Sequence, residues 1–275
     1  MTTRSLLSKS RPGLVSNPSV GTRMRRAVQD INTVLWRDTI RTLRQPEMLT
    51  FAVVMGVFFL VLFNYIFGGS IGAGADIDYL RFLVPGVFVI TALQGAQQTS
   101  MGLAADLAEG VTDRFRSLPM SQVAVIAGRT VADAVRNVAG LILVALVALL
   151  MGYRFASLTG AVGAIALATA IGYSFSWMGA AIAAKVRQPD MVGMLSMFWL
   201  FPLMLASTAF APAETMPGWL QPFVTYQPIS AASEAVRGLA SGTPVGGDML
   251  LTLGWIAALL ALFIPVSVRL YRSGS

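Results

Sequence analysis

Six stretches of this chain are long enough and apolar enough to cross a lipid bilayer, and no other feature constrains the fold as tightly. They cover residues 49–67, 82–104, 134–152, 158–183, 191–211 and 249–268. A hydrocarbon core needs roughly 20 helical residues at about 1.5 Å each. With 55% hydrophobic and 12% charged residues, the chain has too few polar groups to cover a water-soluble domain. The expected fold is an all-α integral membrane protein of six transmembrane helices. The fourth and fifth runs contain Gly, Ser and Pro, which membrane helices tolerate where neighbours satisfy the freed backbone groups. The first run follows a long polar segment with no small-residue cleavage site, so no removable signal peptide is expected.

Orientation follows from the cations. With the N-terminus in the cytoplasm, seventeen Lys and Arg residues fall inside and only Arg81, Arg154 and Arg237 outside; the reverse arrangement inverts that ratio. The expectation is N-in and C-in. The net charge of +7 sits outside the apolar runs, which points to anionic headgroups and topology and away from nucleic acid. The chain has no Cys and no His, which excludes disulfides, thiol and imidazole nucleophiles, and haem or zinc sites built on them.

Residues 1–22 are rich in Ser, Thr, Pro and Gly without periodicity and read as a disordered tail. From Arg23 a helical pattern begins. Arg23, Arg26, Asp30, Arg37, Arg41 and Arg44 share one face, with Met24, Val28, Ile31, Leu35, Trp36 and Leu43 broadly opposite. A basic amphipathic helix over 23–45 suits an anionic membrane surface; the alternative is a soluble helix packed on a partner protein. Pro46 would end it and turn the chain into the six-span region, 46–275.

Between the second and third runs lies a charged segment, 105–132, containing EGVTDRFRSLPMSQ. On a helical wheel Asp106, Glu109 and Asp113 fall on one side and Val111, Phe115 and Leu118 opposite, with Arg114 and Arg116 on the flanks. The pattern predicts a short two-faced helix that Pro119 stops. A solvated loop is the alternative that periodicity leaves open.

The stretch EGVTDRFRSLPMSQVAVIAGRT resembles the signature of ABC-2 type exporter permeases, and most nearly their daunorubicin-resistance-type branch from actinobacteria. Near the other end, MPGWLQPFVTYQPISAASEAVRGL resembles the segment that precedes the last span in that branch. The resemblance implies that the segment after the second span carries a cytoplasmic coupling helix that docks on a separate ATPase. Asp106, Glu109, Asp113, Arg114, Phe115 and Arg116 would be its transmission surface, and the N-terminal amphipathic helix would lie at the same contact. An apolar anchor such as Phe115 fits a pocket while rim charges set register. The resemblance further implies two copies of the ATPase, which would hold ATP and Mg, and a second six-span permease, identical or paralogous.

No G-x-x-x-x-G-K-[ST] stretch occurs, and neither Lys9 nor Lys185 stands in a glycine loop, so hydrolysis is expected on another chain and this one is not expected to be an enzyme. No cofactor or metal site is expected on this chain. Ion-coupled carriers usually hold an ionisable residue near mid-membrane. Here the deep parts of the runs lack one, with Asp133 and Arg136 placed at the cytoplasmic start of the third and Arg81 at the outer start of the second. That disfavours a gradient-driven transporter. A non-transporting membrane scaffold is the other reading the residues leave open.

Inside the membrane, Thr91, Gln94, Gln97 and Gln98 make a polar patch on the second run that lipid would not favour, so it serves either as glue between helices or as a cavity wall. The fifth run offers Phe198, Trp199, Phe201 and Met204. By resemblance these two spans border the route between subunits. Thr91, Gln94, Gln97, Gln98, Phe198, Phe201 and Met204 are then the candidate pathway residues, suited to a large apolar or amphipathic cargo, drug-like or lipid. The segment 212–248 is broken by five prolines but keeps Leu220, Phe223 and Ile229, and Trp219 and Tyr226 suit a membrane boundary. It is expected to form re-entrant half-helices in the outer leaflet. By resemblance Trp219, Phe223 and Tyr226 would cap the exit. The expected location is the bacterial plasma membrane, as a multi-pass protein among lipids.

Overall fold

A computed structural model of the chain describes residues 46–68, 78–109 and 122–273. The expected tail over 1–22, the expected interfacial helix over 23–45, and Asp113, Arg114, Phe115 and Arg116 lie outside the described residues.

The described residues are helical, with no strand among them. In chain order the helices are α1 (Pro46–Phe67), α2 (Tyr79–Ala108), α3 (Gln122–Leu150), α4 (Leu158–Val186), α5 (Pro189–Leu205), a 3-10 turn (Ala213–Thr215), α6 (Gln221–Tyr226), α7 (Pro228–Ser241) and α8 (Gly246–Ser273). Among the described residues four helices are long and apolar enough to cross a membrane: α2, α3 from Asp133, α4, and α8 as far as Tyr271. The apolar stretches Val54–Ile66 of α1 and Pro189–Leu205 of α5 are shorter.

At the centre stands α2, whose residues 83–93 are almost wholly apolar around the circumference and buried on all sides rather than along one stripe. It packs on α1, α3, α5 and α7 and most extensively on α4. Lipid tails are as apolar as Leu, so membrane helices associate through close packing, which small residues permit. The α2–α4 seam follows that rule. A Cβ on Gly172 would lie 2.7 Å from the Ala92 carbonyl oxygen, and one on Gly179 would lie 2.7 Å from Ser100 Cβ. Ser100 and Ser176 hydroxyls donate to the carbonyls of Ala96 and Gly172 one turn back, which satisfies both hydroxyls within their own helices.

Two edges differ from the hydropathy reading. The third helix starts at Gln122 rather than 134, because its charges interrupt an apolar run without breaking a helix. Asp133 and Arg136 therefore stand about three turns inside α3 while remaining at the start of its apolar stretch, Asp133–Leu150. Asp133 is 8% exposed and paired with Arg136, and one turn on Asn137 Nδ2 donates to the Ala92 carbonyl at 2.9 Å. The fifth helix stops at Leu205 rather than 211. Pro202 removes one main-chain donor near its end, and its 17 residues reach only about 26 Å, short of a hydrocarbon core of about 30 Å.

Non-helical backbone at such depth needs partners from side chains, and residues 206–212 have them. Gln227 Nε2 donates to the carbonyls of Leu203 (3.1 Å) and Ala206 (2.9 Å). Arg237 Nη2 donates to Thr208 O (3.0 Å), Tyr79 OH to Phe210 O (3.0 Å), and Thr208 N to Ser230 Oγ (3.0 Å). Gly86 admits the segment against α2, since a Cβ there would lie 2.7 Å from both Ala209 Cα and C. Most of these partners stand on or beside α7, which Gln227 and Pro228 start and Gly242, at φ 73°, ends. Two short helices thus occupy the 212–248 segment, and α7 is buried against α2, α4 and α8.

Candidate functional site

A groove of about 720 Å³ runs between α1, α2 and α5. Helix α2 contributes a polar row: Gln94, Gln97 and Gln98 recur at helical spacing and share one face. Helix α5 contributes Met194, Met197, Leu200, Phe201 and Met204, and α1 contributes Met55 and Phe59. Met101 continues the wall toward the end where α2 finishes. Five of the lining side chains are therefore methionines, whose unbranched thioethers adapt to ligands of different outline. The volume lies within the range of small-molecule sites.

Each glutamine does a different job. Gln97 Nε2 donates to the Gly193 carbonyl at 3.1 Å and ties α2 to α5. At Gly193 a Cβ would lie 3.1 Å from Met101 Sδ, so the glycine brings the two helices close at the same level. Gln94 Oε1 is buried and has no hydrogen-bond partner among the described residues. Asp190 lies toward the Met101 end, in the first turn of α5, where the helix dipole favours a carboxylate.

The structure places five of the seven candidate pathway residues, Gln94, Gln97, Gln98, Phe201 and Met204, on this one groove. Thr91 is not on it: it is buried in the α1–α2 seam, where a Cβ on Gly56 would lie 2.6 Å from its hydroxyl. Phe198 points away and is 81% exposed. The α1 wall and Met101, Met194 and Met197 were not singled out in sequence, although Met194, Met197, Phe201 and Met204 repeat at helical spacing.

Of the six candidate coupling residues, two are described. Helix α2 continues past 104, so Asp106 stands on its last turn and Glu109 caps it, its N–H on the Ala105 carbonyl at 2.9 Å. Carboxylates at a helix C-terminus oppose the dipole. Trp219, Phe223 and Tyr226 are exposed around α6. Phe223 and Tyr226 line a second, almost wholly apolar groove of about 480 Å³ with Phe175, Trp199 and Trp255, and Trp255 Nε1 donates to the Tyr226 carbonyl at 2.9 Å.

Arg237 was counted in sequence only as an outer-loop cation. It stands on α7 with Nε and Nη2 on the Phe82 carbonyl (3.2 and 3.0 Å), its guanidinium 3.8 Å above the Phe82 ring and its Nη1 paired with Glu234. Nearby, in the turn joining α3 and α4, burial pushes the Tyr153 phenol up to about 12, with Arg237 and Arg81 pulling it back and Asp78 adding to the rise.

Comparison with known proteins agrees with this architecture. The profile of the ABC-2 type transporter family matches residues 29–240. The chain is 38% identical over 248 residues to a daunorubicin resistance ABC transporter permease protein of Streptomyces coeruleorubidus, covering 90% of this chain and 87% of that one. It is 27% identical over 223 residues to a doxorubicin resistance ABC transporter permease protein of Mycobacterium tuberculosis, covering 78% and 76%.

Proposed function

The chain belongs to the ABC-2 type transporter family, and we propose that it is the permease subunit of an ATP-driven exporter that moves a hydrophobic, drug-like or lipid cargo outward across the bacterial plasma membrane. The groove between α1, α2 and α5 carries the proposal. Its methionine and phenylalanine walls suit an apolar body, and the glutamine row gives that body hydrogen bonds that fix its orientation. A sugar or an inorganic ion would leave such walls unused.

In this reading α1, α2, α3, α4, α5 and α8 are the six spans, N-in and C-in, and α6 and α7 dip into the outer leaflet with Trp219, Phe223 and Tyr226 at the exit. The open side of the groove faces a second six-span permease. Two ATPase subunits bind ATP and Mg on the cytoplasmic side and close together, and the segment from Asp106 and Glu109 through Asp113, Arg114, Phe115 and Arg116 passes that closure to α2 and α3. A cargo that binds the inward-open groove better than the outward-open one is released by the switch, because only differential affinity shifts such an equilibrium.

One observation bears on a second reading, a carrier driven by an ion gradient: the Asp133–Arg136 pair, with Asp133 buried, stands at the start of the apolar stretch of α3. Its charges already neutralise one another across one turn of the same helix, which does not suit a proton or sodium site. Reconstitution of the chain with its ATPase tests both readings. ATP should drive uptake of a fluorescent hydrophobic drug into inverted vesicles, and Met197→Trp, which fills the groove, should cut that uptake at least tenfold while the complex still assembles. Unchanged uptake with Met197→Trp removes the groove from the route.

A further inference from the structure

The groove has an end. Phe59 belongs to its wall and also to a cluster of three aromatic rings one turn further along α1. Phe63 stacks on Phe210 with centroids 4.4 Å apart and planes 17° from parallel, and Phe59 lies 5.9 Å from Phe210 and 5.8 Å from Phe63. Met204, the last groove residue of α5, precedes Phe210 along the same run toward that end. In the N-in orientation this is the outer end.

We infer that Phe59, Phe63 and Phe210 form a gate that shuts the groove from the outside, and that Arg237 and Tyr79 are positioning residues that hold it shut. The inference rests on the groove being the cargo route. Phe210 does not belong to a helix. It hangs on residues 206–212, where the carbonyls of Thr208 and Phe210 are held by Arg237 and Tyr79 instead of by a main-chain ladder. A ring carried on a continuous helix moves only when the helix moves or melts. A ring carried on a segment held by side-chain hydrogen bonds, those of Arg237 and Tyr79 being the ones nearest the ring, is released when such bonds break, with α1 and α5 left intact.

Arg237 is built for the holding role. Its guanidinium grips the first turn of α2 through the Phe82 carbonyl and ring and the unwound segment through Thr208 O, from a base on α7 fixed by Glu234. It therefore links the three elements that must separate for the groove to open outward. Pro85, one turn into α2, has no N–H to give to the Arg81 carbonyl, so the first turn of α2 lacks one of its own helical bonds where Arg237 grips it. Tyr79, from the same turn, completes the link to Phe210.

The chain contains no cysteine, so a single thiol reports on the gate. Gln98→Cys is placed in the groove of the full chain, co-expressed with its ATPase, and a charged, membrane-impermeant thiol reagent is added to intact cells without cargo. The expected result is negligible labelling in the otherwise unchanged chain and at least tenfold faster labelling with Phe210→Ala or Arg237→Gln. Glu214→Cys, replacing an exposed charged residue on the 3-10 turn before α6, labels quickly in every background and shows that the variant chains reach the membrane folded. Phe210→Leu, which keeps apolar volume but removes the stacked ring, and Arg237→Lys, which keeps charge but loses the planar fork, serve where the larger changes prevent assembly; both should label at intermediate rates. Fast outside labelling of Gln98→Cys in the unchanged chain, or slow labelling in all four variants, overturns the gate. Labelling of Gln98→Cys from the cytoplasmic side, in inverted vesicles, is read separately: its failure counts against the cargo route and not against the gate.

Discussion

Gly179→Ala should be among the most damaging single-methyl additions in the chain. The added Cβ would overlap Ser100 Oγ outright and lie 2.7 Å from Ser100 Cβ. Carbon atoms in favourable contact sit about 3.5–4.0 Å apart. Rotating the Ser100 hydroxyl relieves the first overlap but not the second, so α2 and α4 must part by about 1 Å. That separation loosens the same seam at Gly172, where the Ala92 carbonyl is packed just as closely. Overpacking of this kind costs about 1–3 kcal/mol, and at about 2–4 °C per kcal/mol for a chain of this size the thermal midpoint in detergent should fall by roughly 2–12 °C. Because both colliding atoms belong to one side chain, Ser100→Gly should rescue Gly179→Ala, less about 0.5–1 kcal/mol for glycine in a helix. The midpoint of size-exclusion recovery after heating, measured for the two single variants and the double, closes the cycle. Gly86→Ala is the contrast: its Cβ meets Ala209 backbone, so no side-chain deletion should restore it. A Gly179→Ala chain as stable as the parent, or a double variant no better than Gly179→Ala alone, would refute the close α2–α4 seam.

Gln227→Met keeps volume but leaves the Leu203 and Ala206 carbonyls without their donor. Cross-helix bonds in membranes average about 0.6 kcal/mol, yet buried unsatisfied carbonyls cost about 1–3 kcal/mol each, so a loss of about 2 kcal/mol is expected in the same thermal assay; an unchanged midpoint would contradict it. Tyr153 gives a pH dependence. Its phenol is raised from 10.0 to about 12, so the stability from burying it neutral is complete below pH 10 and is lost as pH rises from 10 to 12. Tyr153→Phe should flatten that alkaline fall, and an identical fall in both proteins would show that the residue is not buried as described.

Much of the architecture is legible in the apolar runs, because a bilayer leaves the backbone few choices. The helix ends are less so, and for physical reasons. Hydropathy marks where lipid is comfortable, whereas a helix ends only where its hydrogen bonds fail, so α3 runs back to Gln122 through Asp133 and Arg136. Pro202 is visible in sequence, but a proline in a membrane helix bends or ends it according to which distant donors are present; here Gln227, Ser230 and Arg237 make the break affordable. The spacing of Gln94, Gln97 and Gln98 shows one face, and the helices that meet that face are set by tertiary packing. Thr91 was grouped with them by polarity alone and lies in another seam. Arg237 counts as an outer cation by topology, and nothing in its neighbourhood of sequence indicates the carbonyls it binds on α2 and after α5.

Transport by purified chain and ATPase in sealed proteoliposomes, energised in turn by ATP and by an imposed proton or sodium gradient, tests most directly the claim that this permease borrows its motion from a separate motor. ATP with magnesium alone should drive the hydrophobic cargo, with the gradients dissipated and the rate unchanged. Cargo movement driven by either gradient in the absence of ATP would contradict the account.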